Sequence, residues 1–164
     1  MKALAVFLVF NLSNFGTLWA RERDIRDPGE PGLRKNSVYF ELLGNGAIYS
    51  INYDRIIPIK QDLNLVLRFG GNEYHGIRTE QLSFNFIGAA GVLVGSRNRF
   101  FEASLGYTHF LGGPDRLFVL TGGYRFQGHR GLVIRLTPMF IANTQTGDTF
   151  GNGLWIGVSL GYSF

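Results

Sequence analysis

The chain has 164 residues and a formal net charge of +4, and it is 45% hydrophobic, 15% aromatic and only 17% charged, below the roughly 25% of soluble domains. That length holds one domain comfortably, and three lysines, Lys2, Lys35 and Lys60, are too few to coat a soluble β-protein. The absence of cysteine excludes a disulfide framework, a thiolate metal site and Cys lipidation, and arginines scattered singly along the chain are not a nucleic-acid footprint.

Met1-Lys2 gives a positive start, Ala3 to Phe10 is an unbroken apolar run, and Leu18-Trp19-Ala20 precedes the charged Arg21-Glu22-Arg23-Asp24. This is the layout of a secretory signal peptide over residues 1–20, with Ala20 before the cut. The apolar run is well short of the ~20 residues of a spanning helix. Residues 21–36 mix both charges with Pro28, Gly29, Pro31 and Gly32, and read as a flexible arm that buries too little apolar surface to offset its ordering entropy. The folded domain is expected over residues 37–164.

From Ser37 onward one pattern recurs: apolar side chains at every second position, with turn signals between segments. Ser37–Leu43 sets Val38, Phe40 and Leu42 against Tyr39 and Glu41. Gly44-Asn45-Gly46 interrupts, and Ala47–Ile57 resumes on the opposite parity with Ala47, Tyr49, Ile51 and Tyr53 against Ser50, Asn52 and Asp54. Such a phase change requires a turn or a bulge. Pro58-Ile59-Lys60-Gln61 reads as a tight link to Asp62–Gly70, and Gly71–Glu80 as a longer polar loop. Gln81–Val94 and Asn98–Phe110 follow around Gly95-Ser96-Arg97, then the turn cluster Gly112-Gly113-Pro114-Asp115 leads into Arg116–Gln127. Gly128-His129-Arg130 precedes Gly131–Ala142, and the polar stretch Asn143–Asn152 joins Gly153–Phe164. In that last segment Leu154, Ile156, Val158, Leu160, Tyr162 and Phe164 oppose Trp155, Gly157, Ser159, Gly161 and Ser163.

There are eight strands if Gly44-Asn45-Gly46 is a hairpin turn and seven if it is a bulge. An all-antiparallel barrel closes without a parallel seam only on an even count, which favours eight. The fold class is therefore all-β: an eight-stranded, antiparallel, up-and-down transmembrane β-barrel following a signal peptide. The mixed face is Gly, Ser, Thr and single charges. That suits the cramped interior of an eight-strand barrel better than the solvated exterior of a soluble, lipocalin-like cup, which is the alternative.

Gly157 to Phe164, G-V-S-L-G-Y-S-F, resembles the C-terminal signature of bacterial outer-membrane β-barrels. Glu41 to Arg55, E-L-L-G-N-G-A-I-Y-S-I-N-Y-D-R, is similar to small outer-membrane barrel proteins of the Bacteroidota. The resemblance implies location in the outer membrane of a Gram-negative envelope, contact with outer-membrane lipid, and reading of Tyr162 and Phe164 by the barrel insertion machinery. It does not fix an activity, because barrels host unrelated functions.

Six charges share the small and polar parity: Glu41, Asp54 and Glu102 against Arg68, Arg125 and Arg135. Three acids and three bases balance, as buried charges must, and the expected role is a plug that holds the lumen shut. The alternative is an ion path in a narrow, porin-like pore. Glu102 and Arg125 lie on sequential strands at similar height and are expected to pair. A lipid-modifying enzyme is a further alternative, but His75, His109 and His129 fall at separate places and give neither a Ser-His-acid pattern nor metal-ligand spacing. No catalytic, metal or cofactor-binding residue is assigned, and no cofactor is expected. The expected role is structural or interactive, through outer loops whose partner the sequence does not name.

Overall fold

The computed structural model describes residues 33–75, 82–111, 116–143 and 152–164. The signal peptide and most of the arm lie outside these residues, as do 76–81, 112–115 and 144–151. Eight strands are present: β1 Asn36–Leu42, β2 Tyr49–Lys60, β3 Leu63–His75, β4 Leu82–Ser96, β5 Arg99–Phe110, β6 Arg116–Gln127, β7 Leu132–Asn143 and β8 Gly153–Ser163. Each pairs antiparallel with its sequence neighbours, and β1 pairs with β8, closing an up-and-down barrel. Asn36 and Phe164 exchange backbone hydrogen bonds of 3.1 and 2.9 Å at the seam. A closed barrel leaves no unpaired edge, the condition a sheet must meet in hydrocarbon.

The alternation sorts the two faces. Phe101 is 71% exposed and Leu154 85%, whereas Arg125 is fully buried and Arg68 and Arg135 are 1% exposed. Apolar outside and charged inside is the reverse of a soluble barrel, and it removes the lipocalin-like cup, whose exterior must face water. Strands β2 to β8 run 11 to 15 residues, enough for the ~9–11 that a tilted strand needs to cross a bilayer.

Three links, residues 61–62, 97–98 and 128–131, are short, and both ends of the barrel chain lie on their side. The opposite links are residues 43–48, 76–81, 111–115 and 144–152.

Gly44-Asn45-Gly46 belongs to a turn: Leu43 N donates to Ile48 O at 2.9 Å, Ala47 N to Gly44 O at 3.0 Å, and both Leu43 and Ala47 have positive φ. Two boundaries differ most from the sequence reading. β2 continues through Pro58 to Lys60, with a register irregularity between them, instead of ending in a link. Ile56 N still reaches Lys35 O, but β1 has ended by Pro58, so its missing N–H falls on an unpaired side. β3 runs past Gly70 to His75, because Gly70 and Gly71 let the Asn52 side chain and the Asn85 backbone approach where a Cβ would collide with them. Residues 33–36, at the end of the arm, pack on the barrel: Leu33 packs against the buried group Ile56, Val66, Leu93 and Phe100, and Arg34 donates to Ser163 O at 2.8 Å and His129 O at 3.1 Å.

The interior is layered. Ile56, Val66, Leu93 and Phe100 form an apolar floor toward the short links. Phe110, Leu117, Val119, Met139 and Ile141, with Trp155 against them, form an apolar group at the other end. The charges lie between the two.

Candidate functional site

The structure brings all six charged residues of the small and polar parity together in the lumen, each buried, from six different strands. Their ion pairs form one alternating chain. Arg125 Nη1 donates to Asp54 Oδ2 at 2.8 Å, and Asp54 Oδ1 accepts Arg68 Nε at 2.9 Å. Arg68 Nη2 reaches Glu102 Oε1 at 2.5 Å, and the same oxygen accepts Arg135 Nη2 at 2.8 Å. Arg135 Nη1 then lies 3.6 Å from Glu41 Oε1. The order is Arg125–Asp54–Arg68–Glu102–Arg135–Glu41, with every carboxylate next to at least one guanidinium. Charges buried in this way persist only when paired and hydrogen-bonded.

Neutral groups complete the set. The Tyr39 hydroxyl donates to Asp54 Oδ1 at 2.9 Å, and its ring is flanked by Arg135 and Arg68, whose guanidinium carbons lie 4.8 and 5.5 Å from its centroid. Tyr39 thus combines a hydrogen bond with two cation–π contacts. Arg125 Nη2 donates to Ser37 Oγ at 2.6 Å, and Arg135 Nη1 to Ser159 Oγ at 3.3 Å.

The pair expected between Glu102 and Arg125 is not the principal contact of either residue. In the register Glu102 faces Gly123 and Arg125 faces Phe100, and the closest approach of the two charges is 4.0 Å. Glu102 reaches instead over β4 to Arg68 and over β6 to Arg135. Between Glu102 and Arg68, β4 presents the small Ala89 opposite Arg68 and Gly91 one inward position on, with Leu93 opposite Glu102 itself. Arg125 and Arg135 are direct cross-strand partners, and they serve different carboxylates.

Sequence reasoning missed a second stopper. Asn45, 1% exposed, is tucked into the lumen at the tip of the β1–β2 turn. Its N–H donates to Glu41 Oε2 at 3.0 Å, and its carbonyl accepts the Thr108 hydroxyl at 2.7 Å from β5, across the barrel. Glycine is needed where the turn enters: a Cβ on Gly44 would overlap the Glu41 carboxylate, and one on Gly157 would lie 3.2 Å from Gly44 Cα and Leu43 O. The only signal in the sequence was the Gly-Asn-Gly run itself.

The histidines stay apart. His75 ends β3, His129 sits in the 128–131 link, and His109 lies near the far end of β5 with its ring stacked on Tyr107 at 6.3 Å. Among the described residues no group of three His, Asp or Glu could hold a metal ion. Tyr162 and Phe164 are on the outer face at the short-link end.

No family model and no curated protein matches the chain. Among solved structures, the barrel is similar to the Yersinia pestis outer membrane protein Ail, determined as a backbone structure in a phospholipid bilayer nanodisc, with a TM-score of 0.52 and 13% identity over 79% of this chain and 97% of that one. At that identity the likeness is one of fold: an eight-stranded antiparallel barrel of the kind found in an outer membrane protein.

Proposed function

We propose that this chain is a small integral outer-membrane barrel with a sealed lumen, acting as a structural or surface-interaction protein through its longer links. The observation that carries this reading is the unbroken six-charge chain across the lumen, roofed by the inward Gly44–Gly46 turn and bounded by apolar layers. An eight-strand bore is already just wide enough to be filled by side chains, and here it is filled. The fold shared with Ail and the apolar exterior support the outer membrane as its place.

In this reading the surroundings are outer-membrane lipid, and Tyr162 with Phe164 is read by the barrel insertion machinery. The similarity of Glu41–Arg55 to Bacteroidota barrels belongs to the same reading. An enzymatic role has no support from the separated histidines. The test is conductance of the refolded barrel in planar bilayers. The expected result is a flat trace, while reproducible unitary steps from the wild-type chain would replace the plug with a pore.

A further inference from the structure

The outer rim at the short-link end is strongly basic. Lys60, Arg97, Arg99 and Arg130 lie in or beside the three short links. Arg34, Lys35 and Arg55 lie around the start of β1, where Arg55 Nη1 donates to Asn36 Oδ1 at 2.7 Å. Against these seven cations, the described residues place one acidic side chain outside the lumen at this end, Asp62. At the opposite end the described exterior charges are Arg116 and Glu73. The lumenal charges balance among themselves, so they do not offset the rim.

The basic residues sit directly below a belt of exposed aromatics. Arg99 pairs in register with Phe126, and two residues higher on β5 Phe101 meets Tyr124 edge-on at 6.0 Å. Arg34 lies over the Tyr162 ring, 5.7 Å from its centroid, and donates to its hydroxyl at 3.2 Å. Aromatics of this kind mark the depth of the lipid headgroups in a membrane barrel. Cations one step beyond them stand at the level of lipid phosphates, and basic groups there attract anionic lipid.

We propose that this rim is a docking surface for the headgroups of anionic glycerophospholipids, engaged chiefly by Lys60, Arg99 and Arg130. This rests on the membrane reading above, in which short links face the periplasmic leaflet. The occupant is a lipid because the cations continue the apolar, aromatic exterior: a lipid satisfies both with one molecule, and a free anion meets only the cations.

The experiment embeds the folded barrel in nanodiscs of equal phosphatidylglycerol and phosphatidylcholine and counts the lipids that stay bound after mild extraction, by native mass spectrometry. Wild type should retain phosphatidylglycerol preferentially, and 0.5 M salt should weaken that preference. Each of Lys60→Gln, Arg99→Gln and Arg130→Gln should lower it by up to about fivefold, and the triple variant by about tenfold or more. Arg116→Gln, at the opposite end, should leave it unchanged. A wild type without preference, a triple variant that keeps it, or competition by millimolar inorganic phosphate alone would overturn the proposal. A chain that never enters the nanodisc overturns the membrane reading as well, whereas an inserted barrel without preference overturns the rim alone. Heat-shifted gel migration of each variant reports that it is folded.

Discussion

Arg68 on β3 and Glu102 on β5 meet at 2.5 Å across the intervening strand β4, which sets Ala89 opposite Arg68 and Leu93 opposite Glu102. This contact joins the Arg125–Asp54 half of the charge chain to the Arg135–Glu41 half. It should therefore be the most strongly coupled pair in the lumen. Arg68→Gln and Glu102→Gln are each expected to destabilise the barrel by about 3–5 kcal/mol, because each leaves buried charge uncompensated. Urea unfolding in vesicles should show a coupling energy of about 1–3 kcal/mol for that pair. The corresponding cycle for Glu102 and Arg125, 4.0 Å apart, should give distinctly less. Equal couplings in the two cycles would show that the charges act as a diffuse cluster without the order described.

The inward turn makes a separate prediction. Thr108→Val removes the hydroxyl that meets Asn45 O at 2.7 Å and leaves a buried carbonyl without that donor, at an expected cost of about 1–3 kcal/mol. Gly44→Ala should cost more, since its Cβ would land in the Glu41 carboxylate and expel the turn from the lumen. Unfolding midpoints of the two variants check the order. Wild-type stability in both would mean that the turn does not hold its place inside the barrel.

The C-terminus separates two roles that coincide at Phe164. Its N–H donates to Asn36 O at 2.9 Å and its carbonyl accepts from Asn36 N at 3.1 Å, closing the β1–β8 seam, while its ring faces outward. Phe164→Ala keeps the backbone bonds and removes only the ring, whereas deletion of Phe164 removes both. If the ring is the insertion signal, Phe164→Ala should lower barrel levels in cells nearly as far as the deletion, yet refold normally in vesicles. Full cellular levels of Phe164→Ala would assign the effect of the deletion to the seam.

Alternation made the two faces legible, because a period of two needs no knowledge of neighbours: Leu154, Ile156 and Val158 could share only one side of β8. The same parity sets Glu41, Asp54, Arg68, Glu102, Arg125 and Arg135 with the serines and glycines. The pairing order was not legible. Cross-strand reasoning considers adjacent strands, but two strand spacings are only about 10 Å, within reach of an arginine and a glutamate extended toward each other. Glu102 accordingly reaches past β4 and past β6. Gly44-Asn45-Gly46 announced a break, but glycine signals an exposed turn and a close internal approach equally well, so its inward course was hidden. Pro58 suggested a link because proline lacks a donor, and only the end of β1 explains why β2 tolerates it.

Gly122 and Gly123 are neighbours on β6 with opposite expectations. They face Pro138 and Thr137 at a gap in the β6–β7 ladder, which is paired at Thr121–Met139 and resumes at Tyr124–Leu136. Pro138 has no N–H to give, so the gap follows from its chemistry, while its pairing with Ile156 holds it in the sheet on the other side. Gly122 points outward, and a Cβ there would meet no atom within 4 Å. Gly123 points inward, where a Cβ would collide with Leu136 O and touch Thr137 at 3.0 Å. Gly122→Val should therefore be tolerated, gaining up to about 1 kcal/mol from the β preference of valine and adding apolar surface on the lipid side. Gly123→Ala should lose about 1–3 kcal/mol by overpacking beside Arg125 and Thr137. The two unfolding midpoints should move in opposite directions. A loss at Gly122 as large as that at Gly123 would show that the strand needs flexibility at this gap, not clearance on its inner face.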